Sequence, residues 1–179
     1  MKNLFCFFLL LVPCFLEAQT IQYGSFKIMD GEVVYQKVLN QDSITVDKLV
    51  QFLKSLPTIA NVQAGDGTVT ADLIYLTVDF KKFKVPQTSV PAIIQTGKFN
   101  GKLIFDIKPG KYRATLRGIQ MKGDTGKKKI IDPEKLTDYA CTDSGTALSK
   151  EWCTPTMLGL LEQAITDRLK YKETNPDWK

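Results

Sequence analysis

The chain contains no histidine. That removes the side chain most used as a general base, and with it the usual serine and cysteine pairings for nucleophilic catalysis. No Ser-x-x-Lys sequence occurs either. Asp66, Asp72 and Asp79 could supply two carboxylates for hydrolysis, as a glycosidase requires, but their spacing selects no two of them. The run Gly123-Asp-Thr-Gly126-Lys-Lys-Lys129 resembles a phosphate loop only superficially. A phosphate loop needs Gly, four residues, then Gly-Lys-Ser/Thr, so that backbone amides wrap the anion. Here two residues separate the glycines, and Lys128 stands where the hydroxyl belongs. A solvated basic turn is the expectation. Catalytic residues, cofactor and metal are each expected to be absent.

The residues best suited to binding are basic. Lys102, Arg113 and Arg117 alternate along two strand-like runs, with Lys108 and Lys111 between them, and Lys122 and Lys127, Lys128 and Lys129 follow. Arginine is scarce, and two of the three in the chain belong to this set. A guanidinium can hold phosphate or carboxylate through two parallel hydrogen bonds, which an ammonium cannot. The competing reading is an ordinary solvated face with Arg113 neutralised by Asp106. Nucleic acid is not expected as a partner, since the charge is a modest +5 and no aromatic stacking residue shares the face.

A hairpin over residues 99–120 must position this set. Pro109 and Gly110 suit the middle of a type II turn. A two-residue I′ turn is impossible because proline cannot take positive φ. A four-residue loop at 108–111 follows. It sets Ile107 opposite Tyr112, Phe105 opposite Ala114 and Leu103 opposite Leu116, on one apolar face of period two. Lys102, Ile104, Asp106, Arg113, Thr115 and Arg117 take the other face. Asp106 then meets Arg113, a cross-strand pair worth about 0.2–1 kcal/mol.

Around that hairpin, residues 26–29 and 32–39 read as strands joined by Asp30-Gly31, with residues 19–24 a frayed lead-in. Thr45 reads as the N-cap of a helix over 46–56, stopped by Pro57. Short and long strand regions follow at 59–63 and 69–83. A proline-bearing loop covers 84–92. Residues 93–96 are an edge strand or a lead-in to the hairpin, and 130–139 a strand or a short helical turn. Thr154 caps a last helix, with Pro155 at its first position and an apolar stripe at Met157, Leu158, Leu161, Ala164, Ile165 and Leu169. Residues 171–179 form a polar tail. Strands with helices on one face indicate an α+β fold.

Residues 1–18 read as a secretory signal peptide, with Lys2, an apolar run over 4–12 and Ala18 at the cleavage site. That run is too short to span a membrane. Lipid attachment at Cys14 is the alternative, though Pro13 fits a lipobox poorly. Residues 19–179 are then one domain. Of the four cysteines, Cys141 and Cys153 remain. In an oxidising compartment they are expected to form a disulfide pinning a polar loop, two free thiols or a metal site being the other readings.

Val33-Val-Tyr35-Gln-Lys37-Val38, the helix around residues 49–53, and Gly101-Lys-Leu-Ile-Phe105 with Gly110-Lys-Tyr-Arg113 resemble exported bacterial proteins carrying a domain of unknown function with a TATA-binding-protein-like fold. The resemblance implies a curved antiparallel sheet with two helices on one face, located in the envelope or periplasm of a Gram-negative bacterium. It transfers no activity and no site residue. The functional expectation is a non-enzymatic binding module with an anionic or protein partner. One alternative is a carrier of a small apolar ligand lined by Tyr75, Phe105, Tyr112 and Leu161. A carboxylate-dependent hydrolase is the other.

Overall fold

A computed structural model describes residues 21–142 and 145–172. The expected signal peptide, Cys14 and most of the polar tail lie outside these residues. Eight antiparallel strands form the main sheet: β1 (Gln22–Tyr23), β2 (Phe26–Met29), β3 (Glu32–Asn40), β4 (Ile59–Ala64), β5 (Thr68–Leu76), β6 (Lys98–Lys108), β7 (Lys111–Asp124) and β8 (Lys129–Lys135). The spatial order is β1-β2-β3-β7-β6-β5-β4, with β8 also paired to β7. Four helices complete the main elements: α1 (Val46–Lys54), α2 (Ala92–Thr96), α3 (Thr137–Ala140) and α4 (Leu160–Leu169).

The β6–β7 hairpin has the expected register. Ile107 faces Tyr112, Phe105 faces Ala114 and Leu103 faces Leu116. Leu103, Phe105, Tyr112, Ala114 and Leu116 are buried in one core with Leu49, Leu53, Leu158, Leu161 and Ile165. Thus α1 and α4 lie on the inner face. Tyr112 fixes the end of α4, its hydroxyl donating to the Leu169 carbonyl at 2.7 Å and accepting from the Tyr171 N–H at 2.8 Å. On β3, Lys37 points the same way and meets Glu162 of α4 at 3.0 Å.

The β2–β3 turn uses Asp30 and Gly31 at φ 53° and 73°, the two positive values a I′ turn demands. Thr45 caps α1 by accepting the Lys48 N–H at 3.3 Å. Strand β7 shares one edge between two partners. Residues Lys111–Leu116 pair with β3, and Gln120–Asp124 pair with β8.

Several expectations need correction. The strand expected over 69–83 stops at Leu76. Beyond it Asp79 accepts the Lys82 N–H at 3.2 Å and Lys84 takes φ 58°, so the chain turns. Residues 93–96 are helical, with Ile93 and Ile94 buried. Strand β7 runs on to Asp124, past residue 120 where the hairpin was expected to end. Both readings of 130–139 hold in sequence, as β8 and then α3. Residues 22–23 pair with β2, and Tyr171 packs edge-on against Phe52 with ring centroids 5.3 Å apart. The first turn after Thr154 is a π-turn, Pro155–Gly159, leading into α4. Cys141 and Cys153 are both free thiols, so the expected disulfide is not formed. Among the described residues between them, β9 (Cys141–Thr142) pairs antiparallel with β10 (Ala147–Leu148), and Ala147, Leu148 and Trp152 are buried.

The outer sheet face as candidate functional site

The buried residues of the four helices join the inner core, so among the described residues none of these helices covers the outer face. Lys102, Arg113 and Arg117 are all on that face, as expected. Each meets carboxylate. Lys102 Nζ lies 3.2 Å from Asp72 Oδ1, and Arg113 Nη2 lies 2.9 Å from Asp106 Oδ2. Arg117 reaches Glu32 through Nε at 2.6 Å and Asp30 through Nη2 at 2.9 Å. The cationic patch expected from these three is therefore neutralised. Strand register is the reason, since Asp72, Lys102 and Arg117 are successive cross-strand neighbours on β5, β6 and β7. The row begins at Asn61, whose amide donates to Asp72 Oδ2 at 2.7 Å.

These contacts fix protonation states. The Asn61 hydrogen bond, then Lys102, hold the Asp72 carboxyl below its usual range against a small opposing effect of burial. Glu32 and then Asp30 raise the proton affinity of Arg117. An acid held charged on both oxygens is a poor proton donor, so Asp72 is not suited to be the general acid of a carboxylate pair. The apolar carrier does not fit. Phe105, Tyr112 and Leu161 are packed inside the core, whereas Tyr75 is 58% exposed. The four residues named for one cavity do not meet.

Lys108 and Lys111 sit at the hairpin tip, opposite each other. With Val38, Asp106, Tyr112 and Arg113 they line a depression of about 220 Å³. The basic turn at 125–128 is partly neutralised, Lys128 pairing with Glu134 at 2.6 Å and Lys127 with Glu151 at 3.4 Å. Glu134 also accepts from the Tyr139 hydroxyl.

Two β-bulges lie beside Gly101 and open a second groove. On β7, Gly118 and Ile119 form the extra step, with Gly118 at φ 55°. On β5 the step is at Ile74 and Tyr75, and Tyr75 is held at φ 51°. Its N–H donates to Asn100 Oδ1 at 2.7 Å. Positive φ is rare for so bulky a residue, and such conformations collect at binding sites. The groove measures about 420 Å³ and is lined by Tyr75, Asn100, Gly101, Lys102, Gly118 and Gln120 among others. Gly101 has no room for a side chain, since a Cβ there would lie 2.9 Å from the Arg117 carbonyl oxygen. The sequence reading missed this groove. Gly118 interrupting an alternating strand was the available signal.

No family model matches the chain, and no curated protein matches it. Two solved structures are similar. One is a DUF4468 family protein from Bacteroides ovatus ATCC 8483, at 16% identity and TM-score 0.47, the match covering 86% of this chain and 95% of that one. The other is a TBP-like protein from Parabacteroides distasonis ATCC 8503, at 17% identity and TM-score 0.46, covering 82% of this chain and 97% of that one. Both descriptions agree with the sequence resemblance. At this level of likeness neither carries an activity or a binding residue to this chain.

Proposed function

We propose that the chain is an exported, non-catalytic binding module of a Gram-negative envelope or periplasm, and that the outer sheet face is its working surface. The observation that carries this reading is that face itself. It is broad and free of covering helices among the described residues. Ion pairs lock its side chains, and two bulges furrow it. Locked side chains lose little freedom on binding, which favours recognition. The pattern of residues 1–18 supports export. The scarcity of catalytic chemistry supports a binding role.

Amine acylation followed by peptide mass spectrometry tests the surface. The protein is labelled alone and then with the envelope fraction of the cell that makes it. Lys98, Lys102 and Lys122 on the sheet are expected to lose reactivity, while Lys54 and Lys170 at helix ends keep theirs. Protection of the helix side alone, or consumption of envelope material by the protein, would contradict the reading.

A further inference from the structure

Apart from the hairpin tip, the unpaired positive charge on the outer face gathers around Lys122 rather than around Lys102, Arg113 and Arg117. Lys98 stands directly opposite Lys122 across β6 and β7. Gln120 stands opposite Asn100 on one side and opposite Lys135 of β8 on the other. Directly opposed residues in an antiparallel pair project to the same face, with Cα atoms about 4.5–5.5 Å apart. Three lysines thus surround two amides. Among the described residues, no carboxylate pairs with Lys98, Lys122 or Lys135. Like charges directly opposite are unfavourable in a sheet, and every arginine and lysine of the adjoining row has an acid. The cluster is left open to a negative charge from outside.

The flank of the cluster is aromatic. Lys98 Nζ lies 5.6 Å from the centroid of the exposed Tyr75 ring. Tyr75 is aimed by a backbone that Asn100 holds through one oxygen, and the Asn100 amide N–H groups have no partner among the described residues. Gln120 likewise offers a free amide. An exposed ring beside amide donors and acceptors suits the apolar face and hydroxyl rim of a sugar. Three ammoniums beside them suit its acidic substituents.

From this we infer that Lys98, Lys122 and Lys135, with Tyr75, Asn100 and Gln120, form a binding site for an acidic saccharide. The inference rests on the outer face being the working surface and adds the class of ligand. Lysines supply the charge recognition and Tyr75 the stacking platform. The already neutralised row Asp72–Lys102–Arg117–Glu32 forms the rigid border of the site.

Calorimetric titration of the full chain with oligogalacturonate tests it, with methyl-esterified oligogalacturonate and inorganic polyphosphate as controls. Binding to the free acid, at least tenfold tighter than to either control, is expected. K98Q/K122Q should weaken it tenfold or more without lowering the unfolding midpoint, because the substitution removes a repulsion. Tyr75→Asn, which tolerates positive φ, should weaken it while leaving the fold intact. Equal binding of the ester would overturn the role of charge. Equal binding of polyphosphate would overturn the saccharide. No binding of any probe, with sheet lysines still protected by envelope, would overturn this ligand class and leave the surface standing. Protection on the helix side would overturn both.

Discussion

Arg117 on β7 places its Nε 2.6 Å from Oε1 of Glu32 on β3. The other oxygen of Glu32 accepts the Gly118 N–H at 3.2 Å. One carboxylate therefore neutralises a half-buried guanidinium and satisfies the backbone of a bulge. This arginine braces the sheet where β7 passes from β3 to β8. Replacing it with alanine is expected to cost about 1 kcal/mol, near the upper end for partly exposed pairs, because Glu32 and Asp30 each lose their ion-pair partner. Denaturant unfolding in low and high salt measures this, and the difference between variant and parent should shrink with salt.

The clamp between Lys37 and Glu162 is better shielded. Glu162 also accepts from Ser25 Oγ at 2.7 Å and from the Ser25 N–H at 3.1 Å. Losing three charge-assisted hydrogen bonds in Glu162→Ala is expected to cost roughly 2–3 kcal/mol. Urea denaturation at neutral pH gives the value.

Acid should release the same clamp. Burial alone would raise the Glu162 carboxyl, but the hydrogen bonds from Ser25 and Lys37 outweigh it and hold the carboxyl below its usual range. A depressed carboxylate contributes stability above its unfolded value, about 4.3. That contribution is lost as pH falls through the lower folded value. Unfolding midpoints from pH 7 to pH 3 should therefore fall less steeply in Glu162→Gln than in the parent.

Glycine 101 should tolerate no substitution. The Cβ of Gly101→Ala would meet Leu116 Cδ1 at 2.8 Å and the Arg117 carbonyl oxygen at 2.9 Å. A cost of about 1–3 kcal/mol is expected from this overpacking. By contrast, Tyr75→Asn should stay within about 0.5 kcal/mol of the parent, since asparagine accepts positive φ readily. Thermal unfolding of the two variants side by side checks the pair.

The thiols give a further test. Burial raises both Cys141 and Cys153, and Cys141 is raised further by Asp138 and Cys153. Alkylation of Cys141 and Cys153 near pH 8 is expected to be much slower than in the denatured chain, with both reacting once it unfolds. A raised thiol contributes stability at neutral pH that is lost as pH climbs past about 8.5 and through the folded value. Fast labelling of the native protein, or a mass two hydrogens short, would contradict the thiol assignment.

The hairpin was legible because its signals agree. Pro109-Gly110 fixes the loop, and period-two burial fixes which of Phe105 and Asp106 turns inward. The Asp30-Gly31 turn and the Thr45 cap were legible for the same local reason. The binding cluster was not, because it depends on a bulge. Extended unchanged, the hairpin register would set Lys98 opposite Met121. The extra residue at Gly118 moves every later pair by one and sets Lys98 opposite Lys122. The pairing of Lys135 with Gln120 depends on β8 returning to β7, a contact between distant segments. Residues 93–96 misled for another reason. Their β-branched pair suits a strand, but the Gly97 N–H closes a helical turn onto the Ile93 carbonyl at 2.8 Å. Tertiary packing of Ile93 and Ile94 decides the matter.

Backbone amide shifts of the labelled protein, followed as the envelope polysaccharide of its own cell is added, test the central claim most directly. The account expects changes confined to Tyr75, Lys98, Asn100, Gln120, Lys122 and Lys135, on the face opposite α1 and α4. Changes clustered on α1 and α4, with those six amides unmoved, would contradict it.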